Sequence, residues 1–259
     1  MVKLLWARHG ENVANLTGTL SYRVFDGDLT ERGKRQAREL AGRLAAAGRA
    51  DPVRLLACSP LRRAWQTAQI VGSQLGLPDA LEVDDLRELN VGLLDGRSDT
   101  YAWHTYYQVL AAWRAGHTHV RFPGGEDRNE LCTRLRRALL AIADRSAGTT
   151  SLVVAHGGSL RAALPCLAVE ADPGTDLPLG AVATMRIDPS HPHSAITLLS
   201  WPATSPPEHR HDGTAQPVTV ACALRPQAAT RSPLPRRGLT ARALIARSGR
   251  PGRSAPGGR

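Results

Sequence analysis

The stretch LLWARHGE, residues 4–11, contains the transition on which the predicted fold depends. The apolar run from Val2 to Ala7 is typical of a strand that is buried on both faces, as in a parallel sheet. Arg8 and His9 follow this run directly, and Gly10 lets the backbone turn sharply after them. The stretch therefore predicts a central strand whose carboxyl end delivers a guanidinium and an imidazole to one point.

Two further predicted strands end in polar side chains. One β-type run ends at His156, and another ends at Ser59, where the next turn supplies Arg62 and Arg63. Ligands of open α/β sheets bind outside the carboxyl ends of the strands. Arginine forks match the oxygens of phosphate. The strand ends together predict a phosphate pocket that holds a nucleophile or an acid–base group.

Strands and helices alternate along the first two hundred residues. The predicted strands are 2–7, 54–58, 81–83, 151–155, 181–187 and 195–200. The predicted helices are 31–47, 62–75, 100–115, 127–145 and one that begins near residue 159, and residues 11–28 are a predicted loop. This alternation predicts an α/β fold, a three-layer α/β/α sandwich with a mostly parallel sheet. A small helical cap is expected as an insertion at about residues 93–125.

The positive charge of the chain is concentrated in its last segment. The formal net charge is +10, of which residues 203–259 carry +8 through ten arginines. Residues 1–202 carry only +2 and have the composition of an ordinary globular domain. The segment 203–259 is rich in Pro, Arg, Gly and Ser, and we expect it to be disordered. A flexible arginine-rich segment could bind nucleic acid, but this segment lacks the aromatic residues that single-strand binders interleave.

The cysteines and the N-terminus indicate a soluble protein of a reducing compartment. Cys58, Cys132, Cys166 and Cys222 form no zinc-ligand spacing, and we expect four isolated thiols without a metal site. The apolar run at the N-terminus is too short for a signal peptide, and no stretch is long enough to cross a membrane. We therefore expect a cytoplasmic protein with no cofactor and no membrane partner. The sequence leaves the oligomeric state open, with a homodimer as one alternative.

Seven motifs, in order along residues 2 to about 200, are similar to those of one family. They are RHGE at 8–11, a loop Asn at Asn15, DLTERG at 28–33 followed by Gln36-Ala37, SPLRRAWQTA at 59–68, LRE at 86–88 with Gly92, PGGE at 123–126, and VVAHGG at 153–158. In this order they resemble the histidine phosphatase superfamily, which includes the cofactor-dependent phosphoglycerate mutases. Such a combination is specific, whereas each motif alone recurs by chance.

The resemblance implies a role for each matching residue. His9 is the expected nucleophile, and Glu88 is the expected general acid and base. Arg8, Arg63 and His156 are expected to hold the phosphoryl oxygens. Asn15 is expected to add a neutral donor to that phosphate site. A neutral imidazole can attack phosphorus, and phosphoryl transfer is catalysed mainly by positioning and charge, which needs no metal.

The resemblance leaves phosphatase and mutase activity as alternatives. The mutases carry a Tyr three residues after the acid, where this chain has Val91, and an adjacent Arg pair in the cap, where it has Trp113-Arg114. No lysine follows Lys34. These departures favour a phosphatase for a small phosphorylated metabolite. A non-catalytic protein that binds a phosphorylated ligand or nucleic acid is a third alternative.

Four residues near the predicted pocket mouth are predicted to contact the substrate: Tyr22, Arg23, Arg62 and Tyr101. The aromatic residues of the predicted cap helix have a second interpretation, because Trp and Tyr on a helix most often pack in a core. The natural substrate cannot be read from these residues.

Overall fold

The structure is a computed structural model that describes residues 1–48, 51–146, 148–168, 171, 175–190 and 196–202. The predicted disordered tail, residues 203–259, lies outside the described residues. The predicted domain limits, 1–202 with a cap at about 93–125, therefore stay a prediction.

A six-stranded sheet forms the centre of the described chain. Its strands are β1 (Val2–Arg8), β2 (Val53–Cys58), β3 (Leu81–Glu82), β4 (Thr150–Ala155), β5 (Val182–Ile187) and β6 (Ile196–Ser200). They lie in the order β3-β2-β4-β1-β5-β6. Strands β3, β2, β4 and β1 pair in parallel, whereas β5 pairs antiparallel with both β1 and β6. The predicted α/β fold with a mostly parallel sheet is confirmed, with β5 alone running antiparallel to the other five strands.

Helices cover both faces of this sheet. They are α1 (Val13–Thr17), α2 (Glu31–Ala47), α3 (Arg62–Leu75), α4 (Thr100–Arg114), α5 (Arg128–Arg145) and α6 (Gly157–Leu167). Side chains alternate along β4, so Leu152 and Val154 pack with α2 and α3. Val153 and Ala155 face the other way, toward the core built by α4, α5 and α6. These two cores make three layers, as the sequence predicts.

Helix starts agree with the side chains that can cap them. Thr30 accepts a hydrogen bond from the backbone N–H of Gly33 and begins α2. Asp127 and Glu130 form a reciprocal capping box at the start of α5. A second capping box, between Asn12 and Asn15, begins α1 inside the segment 11–28. The prediction of an irregular loop over that whole segment is therefore wrong. The signal for this helix is its capping box, which consists of two asparagines.

The expectation of isolated cysteines is also wrong for two of them. Cys132 on α5 and Cys166 on α6 are joined by a disulfide. They are 34 residues apart in sequence, so only the packing of the two helices brings them together. Cys58 is a buried free thiol, and Cys222 lies outside the described residues.

The cap leaves and rejoins the main domain at one narrow point. Leu93 donates its backbone N–H to the carbonyl of Pro123 at 2.8 Å, and Glu126 donates to the carbonyl of Asn90 at 2.9 Å. Gly92 lies between these strands of chain with φ +56°. A Cβ atom there would lie 2.2 Å from the Pro123 carbonyl oxygen, so this crossing excludes every other residue.

Within the described residues, no helix is both long enough and apolar enough to cross a membrane.

We expect Gly92→Ala to destabilise the protein more than Gly18→Ala. Both glycines have left-handed φ, +56° and +61°, and alanine costs about 1–2 kcal/mol in that conformation. Gly18 has open space where a Cβ would lie, whereas Gly92 meets backbone. The collision should add roughly 1–3 kcal/mol to the loss in the free energy of unfolding. Urea unfolding followed by tryptophan fluorescence measures the loss for each variant. Equal losses would show that the backbone around Gly92 does not exclude a Cβ atom.

Candidate functional site

The polar ends of the parallel strands meet at one cavity, as predicted. His9 follows β1, Ser59 follows β2, and His156 follows β4. The cavity has a volume of about 430 Å³, and Arg8, His9, Arg63 and Glu88 line it. The structure therefore brings the residues with predicted catalytic roles to one place, with His156 directly behind His9 at a ring-centroid distance of 5.2 Å.

His9 has the charge state and tautomer of a nucleophile. Its Nδ1 lies 2.7 Å from the carbonyl oxygen of Gly10, which can only accept, so Nδ1 carries the ring proton. Nε2 is then unprotonated, and its lone pair accepts a hydrogen bond from Arg63 Nε at 3.1 Å. Burial, the Arg63 guanidinium and the Arg8 guanidinium hold the pKa of His9 well below its usual value of 6.5. The imidazole is neutral at neutral pH.

Arg63 is positioned by the first turn of α3 and by the loop after α1. It is almost fully buried, and its guanidinium donates to the hydroxyl and the backbone carbonyl of Ser21, each at 3.0 Å. Asp26 lies 3.5 Å from the same guanidinium. The loop thus fixes the fork beside His9, where it can hold oxygens of a phosphoryl group.

Two buried nitrogen atoms around His9 lack a hydrogen-bond partner within the described residues. They are Arg8 Nε and His156 Nδ1. Ser59 Oγ accepts from the backbone N–H of Leu61 and lies 2.8 Å from His156 Nε2. Buried polar atoms without partners are costly, and a bound anion would satisfy the Arg8 Nε donor.

The carboxylate of Glu88 lies at the N-terminus of α6. It accepts backbone N–H groups from Ser159 at 2.5 Å, from Gly158 at 3.3 Å and from its own neighbour Leu89 at 2.9 Å. A Cβ at Gly158 would lie 2.9 Å from the carboxylate, and a Cβ at Gly157 would lie 2.9 Å from Arg8 Cδ. The Gly-Gly pair after the second histidine is thus what gives the acid and one arginine room in the cavity.

Asn15 has two functions in the structure. Its Oδ1 accepts the backbone N–H of Asn12 in the capping box of α1, and its side chain lines the cavity. Asn12 is buried and also lines the cavity. Sequence reasoning missed Asn12 and Ser21. The asparagine spacing of the capping box was a usable signal for Asn12, whereas Ser21 depends on how the loop folds back.

The outer part of the cavity has an aromatic wall on the cap. Trp103, Tyr106 and Tyr107 of α4 contact one another with ring centroids 5.3–5.7 Å apart. Tyr106 stacks on buried Phe122, and burial raises the pKa of its hydroxyl far above the usual value. The Trp103 indole donates to the carbonyl of Gly18 at 2.7 Å and so ties the cap to the loop after α1.

Three guanidiniums line the same outer part. Arg161 pairs with Asp176. Arg128 donates to the carbonyls of Trp113 and Ala162 but forms no ion pair with a described residue. Arg114 is exposed and has no polar partner in the part of the chain that the structure describes. The outer cavity is therefore lined by aromatic side chains, by three guanidiniums and by the Asp176 carboxylate that pairs with Arg161.

The four predicted substrate contacts are not among the residues that line the cavity. Tyr22 packs against the main core, and Arg23 lies over its ring. Arg62 turns to Asp28 at 2.6 Å, and Tyr101 is exposed beneath Arg97. A contact between these four residues and a substrate stays a prediction.

Within the described residues, no group of three or more His, Cys, Asp or Glu side chains has the arrangement of a metal site.

Comparison with known proteins gives one family. The sequence profile of the histidine phosphatase superfamily (branch 1) matches residues 4–202. The metal-independent phosphoserine phosphatase of Arabidopsis thaliana is 33% identical over 163 residues, 62% of this chain and 67% of that protein. A probable phosphoglycerate mutase of Photorhabdus laumondii is 33% identical over 193 residues, 72% of this chain and 80% of that protein. The structure of the α-ribazole phosphatase of Shigella flexneri superposes with a TM-score of 0.60 at 25% identity, covering 77% of this chain and 95% of that one.

The buried histidines predict a loss of stability in mild acid. Burial, with Arg63 next, lowers the pKa of His156 as well as that of His9. The unfolded chain protonates its histidines near pH 6.5, whereas the folded chain does so only well below that. The unfolded state thus binds more protons in this window, and the free energy of unfolding should fall as the pH drops from about 7.5 to about 5.5. Urea unfolding at each pH measures it.

A matched pair of variants identifies the groups responsible. His156→Gln should flatten the pH dependence, whereas His104→Gln, at an exposed position on α4, should leave it as in the wild type. An unchanged slope in His156→Gln would show that the His156 imidazole is not its cause.

Proposed function

Because the chain belongs to the histidine phosphatase superfamily, we propose that it is a metal-independent phosphomonoesterase that forms a phosphohistidine on His9. The observation that carries this proposal is the unprotonated Nε2 of a neutral, buried His9, which lies beside Arg8, Arg63 and His156. Preorganised donors around a nucleophile stabilise the charge that develops on transferring phosphoryl oxygens.

The reaction has two steps. His9 Nε2 attacks phosphorus, the ester P–O bond breaks, and Glu88 donates a proton to the departing alkoxide. Glu88 then takes a proton from water, whose oxygen attacks phosphorus and breaks the P–N bond. Inorganic phosphate leaves, and neutral His9 and protonated Glu88 are restored. Arg8, Arg63 and His156 hold the phosphoryl oxygens through both steps.

His9→Ala is expected to abolish hydrolysis of p-nitrophenyl phosphate, because no other nucleophile lines the described cavity at that point. The assay contains EDTA, in which the wild type should keep its rate. Wild type quenched in alkali should carry an acid-labile, alkali-stable phosphoryl group that His9→Ala lacks. A phosphate ester stable in acid, or a rate restored by a divalent cation, would contradict the mechanism.

We infer the chemical class of the substrate from the residues that line the outer part of the cavity. The leaving group of the substrate lies between the aromatic wall of α4 and the guanidiniums of Arg114, Arg128 and Arg161. Arg8 and Arg63 balance the phosphate dianion, and Asp176 pairs with Arg161, so Arg114 and Arg128 remain to balance a second anionic group. The substrate is therefore a phosphomonoester of a small carboxylate-bearing molecule. The metal-independent phosphoserine phosphatase, a relative of this chain, acts on a compound of that class.

Two isosteric aryl phosphates test the second anion. 4-Carboxyphenyl phosphate carries a carboxylate where 4-carbamoylphenyl phosphate carries a neutral amide. We expect a higher kcat/KM for the carboxylate, and Arg114→Gln should reduce the ratio of the two about fivefold, as for an exposed ion pair of ~1 kcal/mol. Arg145→Gln is the matched control, since Arg145 lies in the last turn of α5 as Arg114 lies in the last turn of α4. A ratio that Arg114→Gln leaves unchanged would contradict this substrate class.

Phosphoglycerate mutase activity is the alternative, and relatives with that name match this chain. Isomerisation of 3-phosphoglycerate with a bisphosphoglycerate primer, without release of phosphate, would favour it over hydrolysis.

A further inference from the structure

Arg134 is a buried arginine on α5 that lies outside the cavity and uses all five of its N–H donors. Two of them, on Nε and Nη2, bind the Glu126 carboxylate, each at 2.8 Å. The other three donate to backbone carbonyls of one short segment: Asp85 at 2.7 Å, Arg87 at 2.8 Å and Glu88 at 3.0 Å. An arginine has five donors in a rigid plane, so this set leaves none over.

The segment that Arg134 binds is the one that carries the proposed acid. This segment contains no strand and no long helix. Its only regular elements are the short helical turns 84–86 and 92–94. Its carbonyls therefore lack the ladder partners that position His9 and His156. Arg134 supplies those partners from a rigid helix.

Glu126 extends the same network to the next residues. Its carboxylate accepts the backbone N–H of Asn90 at 2.9 Å, and its own N–H donates to the Asn90 carbonyl at 2.9 Å. The side chains of Arg134 and Glu126 are only 15% and 7% exposed. Burial acts to lower the pKa of Arg134, and the adjacent Glu126 carboxylate more than offsets it, so the pKa of Arg134 is raised.

From this geometry we infer that Arg134 is a positioning residue for Glu88: with Glu126, it fixes the backbone at 85–90 so that the carboxylate stays at the N-terminus of α6, where it faces the leaving group. The inference rests on the proposed acid–base role of Glu88. Loss of a partner from this network should let the carboxylate move, and displacements of about 1 Å reduce proton transfer strongly. The chemistry at His9 has no contact with Arg134 and should be spared.

A comparison of two leaving groups separates positioning from general damage. p-Nitrophenolate departs without a proton, whereas the alkoxide of 2-glycerophosphate needs one. We expect Arg134→Lys to lower kcat/KM for 2-glycerophosphate about tenfold more than kcat/KM for p-nitrophenyl phosphate, in the same direction as Glu88→Gln. Lysine keeps the charge beside Glu126 but cannot reach three carbonyls with three donors.

Three further variants complete the test. Arg137→Gln removes a bidentate pair from the same helix to the Asp85 side chain, at an exposed position, and should leave the ratio of the two kcat/KM values unchanged. In Glu88→Gln, adding Arg134→Lys should change the ratio no further. Glu126→Gln replaces Arg134→Lys if that variant fails to fold, and it should shift the ratio in the same direction.

The outcomes distinguish the two proposals. If Glu88→Gln lowers both kcat/KM values equally, the acid role of Glu88 is wrong. If Glu88→Gln shifts the ratio while Arg134→Lys and Glu126→Gln lower both kcat/KM values equally, Arg134 has only a structural role and the inference is overturned.

Discussion

A neutral imidazole held among guanidiniums is the constraint on which the rest of this structure depends. Burial and the charges of Arg63 and Arg8 lower the pKa of His9, so the ring does not take up a second proton. The same positive charges attract a phosphate dianion to the cavity. The arrangement has a cost, because Arg8 Nε and His156 Nδ1 are buried without partners in the described chain. A buried, unsatisfied donor costs about 1–3 kcal/mol, and binding a substrate would recover it.

The site divides into parts of different rigidity. His9, Ser59 and His156 follow parallel strands, whose ladder hydrogen bonds place them. Glu88 comes from an irregular segment between β3 and the cap, so its position depends on partners elsewhere. The α6 amides hold its carboxylate, and Arg134 and Glu126 hold its backbone. The geometry of the site therefore also depends on Arg134 of α5, a residue that does not line the cavity.

The cap gives the cavity its outer half. It crosses the main domain at Gly92 and Gly125, where neither backbone leaves room for a side chain. The Trp103 indole ties it to Gly18. Aromatic and cationic residues both line this outer half, and this combination underlies the proposed preference for a carboxylate-bearing substrate.

The sequence by itself determined the fold class, nearly all element positions and the residues that meet at the strand ends. Periodicity, caps and glycine-marked strand ends are local, so they can be read without a structure. Only the tertiary structure decided the partners that depend on chain segments far apart: the Cys132–Cys166 disulfide, the Ser21 contact to Arg63 and the Arg134 contacts to residues 85–88. It also turned Arg62 to Asp28, away from the cavity. Adjacent residues of a helix point in different directions, so a motif names Arg62 and Arg63 together, but packing determines which one reaches the site.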